Sequence, residues 1–160
     1  MIKFVEDLTS VVLEEIPDMV SLAVEISNCQ GNCIGCHSPF LRDNVGQELT
    51  PEEADHAIDD NYGVNCFLFL GEGNDRAALI SLVRHIRKSH PGMKVALYSG
   101  RTAVEDEFFD LFDYVKVGPY IAKYGPLNKD TTNQRLYKIT HRPDGVSERE
   151  DITSRFWKKR

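Results

Sequence analysis

Three cysteines fall within eight positions, Cys29-Gln30-Gly31-Asn32-Cys33-Ile34-Gly35-Cys36, leaving three residues and then two between the thiols. Glycines at 31 and 35 let such a loop curl around a metal centre. Three thiolates suit a cubane iron–sulfur cluster in which one iron lacks a protein ligand, and an open iron is a place for chemistry. Other arrangements draw on the same residues. Zinc with His37 as fourth ligand would need a distant second ligand couple, which the sequence does not offer. Cys33-Ile34-Gly35-Cys36-His37 also matches the attachment pattern of covalent haem, an assembly that belongs outside the cytoplasm. Thiols merely packed in a core would need apolar cover that Gln30, Asn32 and the glycines do not supply. Cys66 is different, because it sits among Phe67, Leu68 and Phe69 and reads as a buried small hydrophobe.

A chain of 160 residues with 41% apolar content suits one domain over residues 1–160, with 1–9 and 141–160 as flexible ends. The net charge of −6, with both signs interspersed, leaves no basic face of the kind phosphate backbones select, so nucleic acid is not an expected partner. The first ten residues carry Glu6 and Asp7 in place of a basic start and apolar run. No stretch approaches the ~20 apolar residues that span a bilayer, so no membrane partner is expected. The expectation is a soluble, cytoplasmic protein in a reducing compartment, where clustered cysteines favour metal over disulfides.

The elements that must position the cysteines follow from periodicity. Val20, Leu22, Val24 and Ile26 alternate with small or polar residues, which predicts a strand ending just before Cys29. A strand over 10–16 and the Pro17-Asp18 turn complete an N-terminal antiparallel hairpin. Thr50-Pro51-Glu52-Glu53 combines a cap, a proline at the first helical position and a glutamate three residues on, predicting a helix to about Asp60. The runs 64–70 and 93–98 are nearly all apolar, as in parallel strands covered on both faces. Between them Leu79, Leu82, Val83 and Ile86 repeat at helical spacing until His90-Pro91-Gly92. Thr102-Ala103-Val104-Glu105 reads as a second capping box leading into Phe108, Leu111 and Phe112, and 114–117 as a short fourth strand. An expected edge strand over 136–140 and a Pro143-Asp144-Gly145 turn follow, and Phe156 and Trp157 read as an aromatic pair packed back on the body ahead of a basic tail.

Strands alternating with helices imply right-handed crossovers and a mostly parallel sheet. About four units are too few to close an eight-stranded barrel, so the expected fold is α/β, an open or partial (β/α) barrel with an N-terminal hairpin. In such sheets ligands sit beyond the carboxyl ends of the strands. Cys29, the Gly71-Glu72-Gly73-Asn74-Asp75 turn, Ser99-Gly100 and Gly118 all fall there. The same turn also serves as a plain strand-to-helix connection with Asn74 or Asp75 as the helix cap.

The C-x₃-C-x₂-C spacing after the first strand of a βα protein resembles the signature of the radical S-adenosylmethionine superfamily. The Gly35-Cys36 step, the short chain, Lys116-Val117-Gly118-Pro119-Tyr120 and Thr131-Thr132-Asn133-Gln134-Arg135 resemble the activating proteins of anaerobic ribonucleoside-triphosphate reductases, over residues 14–137. The resemblance implies a [4Fe–4S] cluster on Cys29, Cys33 and Cys36 whose open iron chelates S-adenosylmethionine. Reductive cleavage of that cofactor would then yield a radical that takes hydrogen from a glycine of the reductase's large subunit. It further implies anaerobic conditions, an electron donor such as flavodoxin or ferredoxin, and Gly35 and His37 lying against the bound methionine. In the family a Gly-Gly-acid run at the end of the second strand holds the methionine amino group. Here that stretch reads Gly71-Glu72-Gly73-Asn74-Asp75, with acid and glycine exchanged, so the contact falls to Glu72, Asn74 or Asp75, with Ser99 nearby. The alternatives are activation of another glycyl-radical enzyme, and a non-enzymatic iron–sulfur electron carrier or cluster-binding module.

Overall fold

A computed structural model describes residues 1–6, 9–13, 15–27, 46–119 and 121–157. In chain order the elements are β1 (Lys3–Phe4), β2 (Ser10–Val12), β3 (Ser21–Glu25), β4 (Gln47–Glu48), α1 (Pro51–Asp60), β5 (Cys66–Leu70), α2 (Arg76–Ser89), β6 (Lys94–Tyr98), α3 (Asp106–Leu111), β7 (Tyr114–Val117), β8 (Arg135–His141) and β9 (Ser147–Asp151), then a 3₁₀ turn at Thr153–Phe156. β1 and β4 form a small antiparallel ribbon, and the other seven strands form one mixed sheet in the order β2-β3-β5-β6-β7-β8-β9. The central four, β3, β5, β6 and β7, run parallel. The flanking pairs β2–β3, β7–β8 and β8–β9 are antiparallel, and β2–β3 is the expected hairpin, although β2 stops at Val12.

Local chemistry sets the helix ends. Thr50 caps α1 by accepting the Glu53 amide at 3.1 Å, with Pro51 at the start of the helix, where its missing N–H costs nothing. Asp75 caps α2 by accepting from the Ala78 amide at 3.1 Å, and Arg87 and Lys88 lie against the negative end of the helix dipole. His85 and His90 both reach the Asp55 carboxylate, at 3.0 and 2.8 Å, and pin α2 to α1.

The three helices of the described residues pack on one face of the sheet. Leu22, Val24, Phe67, Phe69, Val95, Leu97 and Val115 meet Leu79, Val83, Ile86, Phe108 and Phe112 there, in edge-to-face contacts such as Phe69–Phe112 at 6.2 Å. Burying each such side chain contributes roughly 1.5–3 kcal/mol. The opposite face, lined by Ala23, Cys66, Leu68, Ala96, Tyr114 and Leu136, is covered among the described residues without a helix, by Ile16 and Met19 from the hairpin loop and by Ile152 and Phe156 from the end of the chain. Arg155 and Asp18 join these two covering segments at 2.7 Å. The apolar runs of β5 and β6 thus reflect burial on both sides.

Two expectations are corrected. The capping box at Thr102 does not form, and α3 starts only at Asp106 with Glu105 as a cap that makes no side-chain cap bond. The reason is competition, since the Glu105 carboxylate is taken by Arg101 at 2.9 and 2.8 Å. β8 is not an edge strand. The Arg142–Val146 turn, closed by Gly145 at φ +87°, brings β9 back along it, and the highly charged β9 forms the edge. Among the described residues no helix is long and apolar enough to cross a membrane.

Candidate functional site

The carboxyl ends of the parallel strands form one rim. Ser27 follows β3, Gly71 to Asp75 follow β5, Ser99 to Arg101 follow β6, and Gly118 follows β7. Backbone hydrogen bonds tie the rim together: Gly71 N–H to Tyr98 C=O at 3.0 Å, Ser99 N–H to Lys116 C=O at 2.8 Å, and Gly118 N–H to Arg101 C=O at 2.7 Å. Two glycines are dictated by this geometry. Gly73 has φ +70°, and a Cβ there would stand 3.0 Å from Ile2 Cδ1. Gly118 has φ +105°, and a Cβ would stand 3.0 Å from the Gln134 Cα.

On the helix side of the rim lies a cavity of about 330 Å³, lined by Gly71, Glu72, Gly73, Asn74, Asp75, Arg76, Leu79, Gly100, Arg101, Glu105 and Phe108. Of the residues the sequence points to, it therefore brings together Gly71, Glu72, Gly73, Asn74, Asp75 and Gly100. Ser99 is fully buried beside it. The Glu72 carboxylate is fully engaged, accepting from the Ser99 hydroxyl and, at 2.9 and 2.6 Å, from the Arg101 guanidinium. Asp75 is spent on the α2 cap, as its alternative reading requires. Arg101 forks between Glu72 and Glu105, and Arg76 pairs with Glu107 and lies 3.7 Å from Glu105. The hydrogen bonds from Arg101 are the main reason the Glu105 carboxyl is pulled down to about 2. A carboxyl so depressed contributes stability above its unfolded value near 4.5, and that contribution fades as pH falls from there toward 2. Arg101→Gln is expected to return Glu105 to the ordinary carboxylate range, read by ¹³C NMR titration of the carboxyl carbon. A Glu105 that still titrates near 2 would show that Arg101 is not its holder.

The other side of the rim is organised in rows. Ala23, Leu68, Ala96 and Tyr114 are register partners across β3, β5, β6 and β7, and all are buried. One step nearer the carboxyl ends, on the same face, the row reads Glu25, Leu70, Tyr98, Lys116, and all four are half-buried. The Tyr98 hydroxyl donates to the Glu15 carbonyl, and Lys116 Nζ lies 5.2 Å from the Tyr98 ring centre. Burial pushes the Glu25 carboxyl up.

Cys29, Cys33, Cys36, Gly35 and His37 lie outside the described residues. Among the described residues no group of three or more His, Cys, Asp or Glu side chains is arranged to hold a metal. Cys66 is buried and free, as its apolar neighbours predict, and burial pushes its thiol up to about 12, which keeps it protonated and unsuited to ligate. Sequence reasoning did not single out Arg101 or Glu25. The one sequence signal for Arg101 is its i,i+4 spacing to Glu105, while its partner Glu72 is 29 residues away.

A family model for a 4Fe-4S single cluster domain matches residues 20–139, from the start of β3 nearly to the end of β8. No curated protein and no solved structure matches the chain.

Proposed function

We propose that this chain, which belongs to the 4Fe-4S single cluster domain family, is a radical S-adenosylmethionine activating enzyme that generates a glycyl radical on the large subunit of an anaerobic ribonucleoside-triphosphate reductase. The observation that carries the reading is a conjunction. C-x₃-C-x₂-C follows β3, the first strand of a parallel run, and the rim at the ends of β5, β6 and β7 offers glycines at positive φ, a cavity and half-buried polar side chains. Three βαβ steps that add strands in one direction and keep α1, α2 and α3 on one face are also the arrangement of a partial (β/α) barrel, in support of that finer description.

The donor set fits the cluster, because three thiolates from Cys29, Cys33 and Cys36 leave one iron for a small ligand. When bound, the cluster and S-adenosylmethionine supply one-electron cleavage of a carbon–sulfur bond and a radical able to take hydrogen from glycine. The chain's own share is placement. The rim glycines allow backbone to approach a ligand closely, and the apolar rows beneath exclude water. Electrons would come from a donor such as flavodoxin or ferredoxin, and within 131–135 the side chains left for docking the reductase are Thr131, Asn133 and Arg135, because Thr132 and Gln134 are buried.

The test is anaerobic reconstitution with iron and sulfide, reduction with S-adenosylmethionine present, and chromatography for 5′-deoxyadenosine and methionine, followed by electron paramagnetic resonance with the reductase subunit added. Both products and a glycyl signal are the expected result. A second reading, a cluster-binding electron carrier, is favoured by the engagement of Glu72 with Arg101 and Ser99, which removes the acid at the family position from cofactor contact. A reducible cluster with no cleavage even in the presence of the subunit would select that reading.

A further inference from the structure

A cationic ligand at the strand ends needs a carboxylate whose charge is not already neutralised. Glu72 is clamped by Arg101 and Ser99, Glu105 by Arg101, and Asp75 by the Met1 amino group together with the first turn of α2. All three belong to the helix side of the rim. Glu25 differs in both respects. Strand alternation places Leu22, Val24 and Ile26 against the helices and Ala23 against the opposite cluster, so Glu25 shares the face of Ala23. Its carboxylate has no ion pair or hydrogen bond among the described residues.

Its row completes the case. Glu25, Leu70, Tyr98 and Lys116 present a carboxylate, an aliphatic chain, an aromatic ring and an ammonium across three inter-strand steps, roughly 14 Å. The row beneath is sealed by buried Ala23, Leu68, Ala96 and Tyr114, so a ligand resting on the rim would sit on a dry floor. Glu25 also lies four residues before Cys29 in the sequence, on the strand that leads into the cysteine segment.

We propose that Glu25 is the binding residue for the cationic methionyl end of S-adenosylmethionine, taking over the part that Glu72 is too engaged to play; this rests on the function proposed above. A cation in contact offsets the desolvation that pushes the Glu25 carboxyl up, so the free protein carries a destabilising charge that the bound ligand relieves. The half-apolar, half-aromatic middle of the row then accommodates the uncharged part of the ligand.

Glu25→Gln in the full chain tests this with two measurements. In the reconstituted protein, iron and sulfide content should match the parent while the Kd for S-adenosylmethionine, by anaerobic equilibrium dialysis, rises at least ~10-fold. In the protein without cluster, the melting temperature at pH 7.5 should stay level or rise, because the isosteric amide removes a desolvated charge. Unchanged affinity with a full cluster overturns the inference. So does a fall of more than about 5 °C in melting temperature, which would mean that the carboxylate serves the fold itself, and so does a variant that no longer assembles the cluster. If the parent protein binds no S-adenosylmethionine at all, the functional reading fails and takes the inference with it. Binding by the parent with no loss in Glu25→Gln removes the inference alone.

Discussion

Cys33→Ala is expected to abolish both cluster content and 5′-deoxyadenosine formation while leaving a soluble, folded chain. Two thiolates cannot hold a cubane whose fourth iron is already without a protein ligand, so the loss is all or none. The fold has support of its own, because its two apolar clusters are assembled from residues 2–26 and 49–156. The protein without cluster should therefore melt within a few degrees of its parent. Iron and sulfide assays with far-ultraviolet circular dichroism check both halves. Cys66→Ala is the control. That thiol is buried in the sheet and kept protonated, so its loss should cost about 1 kcal/mol of stability and no iron. An insoluble Cys33→Ala chain would mean that the cysteine segment is structural, as in a zinc-stabilised module, and metal analysis would then find zinc in place of iron.

Much of the frame was legible because its signals are local. Thr50, Pro51 and Glu53 mark the start of α1, and Leu79, Leu82, Val83 and Ile86 describe one face of α2 within a single stretch of chain. What was hidden depends on partners far away in sequence. An all-apolar β5 announces burial on both faces but not which face receives the helices. The face opposite α1, α2 and α3 is closed, among the described residues, by Ile16, Met19, Ile152 and Phe156, isolated apolar residues with no period to read. β9 is Ser-Glu-Arg-Glu-Asp, a composition that looks like loop. It becomes a strand because β8 offers a ladder, and because Arg149 lies 3.6 Å over the Phe109 ring and pairs with Asp106. The start of α3 departs from its sequence pattern for a related reason, since Arg101 captures the glutamate a capping box would use.

The rim shows the same division. Gly71 to Asp75 and Ser99 were legible as strand ends, and position alone makes them candidates. Their electrostatic condition was not legible. Whether Glu72 is free or clamped depends on Arg101, and whether Glu25 is paired or unpaired depends on what meets the sheet face it shares with Ala23. A single charged residue carries no periodicity, so only the folded arrangement separates a spent carboxylate from an available one.

The largest loss of stability from a polar residue is expected at Asp113, between α3 and β7. Its side chain is 6% exposed, and its carboxylate accepts from the Val95 amide at 2.9 Å and the Arg87 guanidinium at 2.8 Å, with His141 Nε2 at 3.3 Å. The residue thereby joins β6, α2 and β8 at the end of the sheet opposite the rim. Asp113→Ala leaves a buried amide without an acceptor and a half-buried guanidinium without a counter-ion, at a cost of about 2–4 kcal/mol. For a chain of this size that is roughly a 10 °C drop in melting temperature. The surface pair Arg142–Glu148 has a similar separation, 2.9 Å, but both side chains are about half exposed. Glu148→Ala should therefore cost no more than about 1 kcal/mol. Urea denaturation of the two variants measures the contrast. Equal losses would show that burial does not set the strength of these contacts. A large loss confined to Asp113 would show that the rim is held from below, with the strands that carry Ser99 and Gly118 aligned at their far ends by one buried carboxylate.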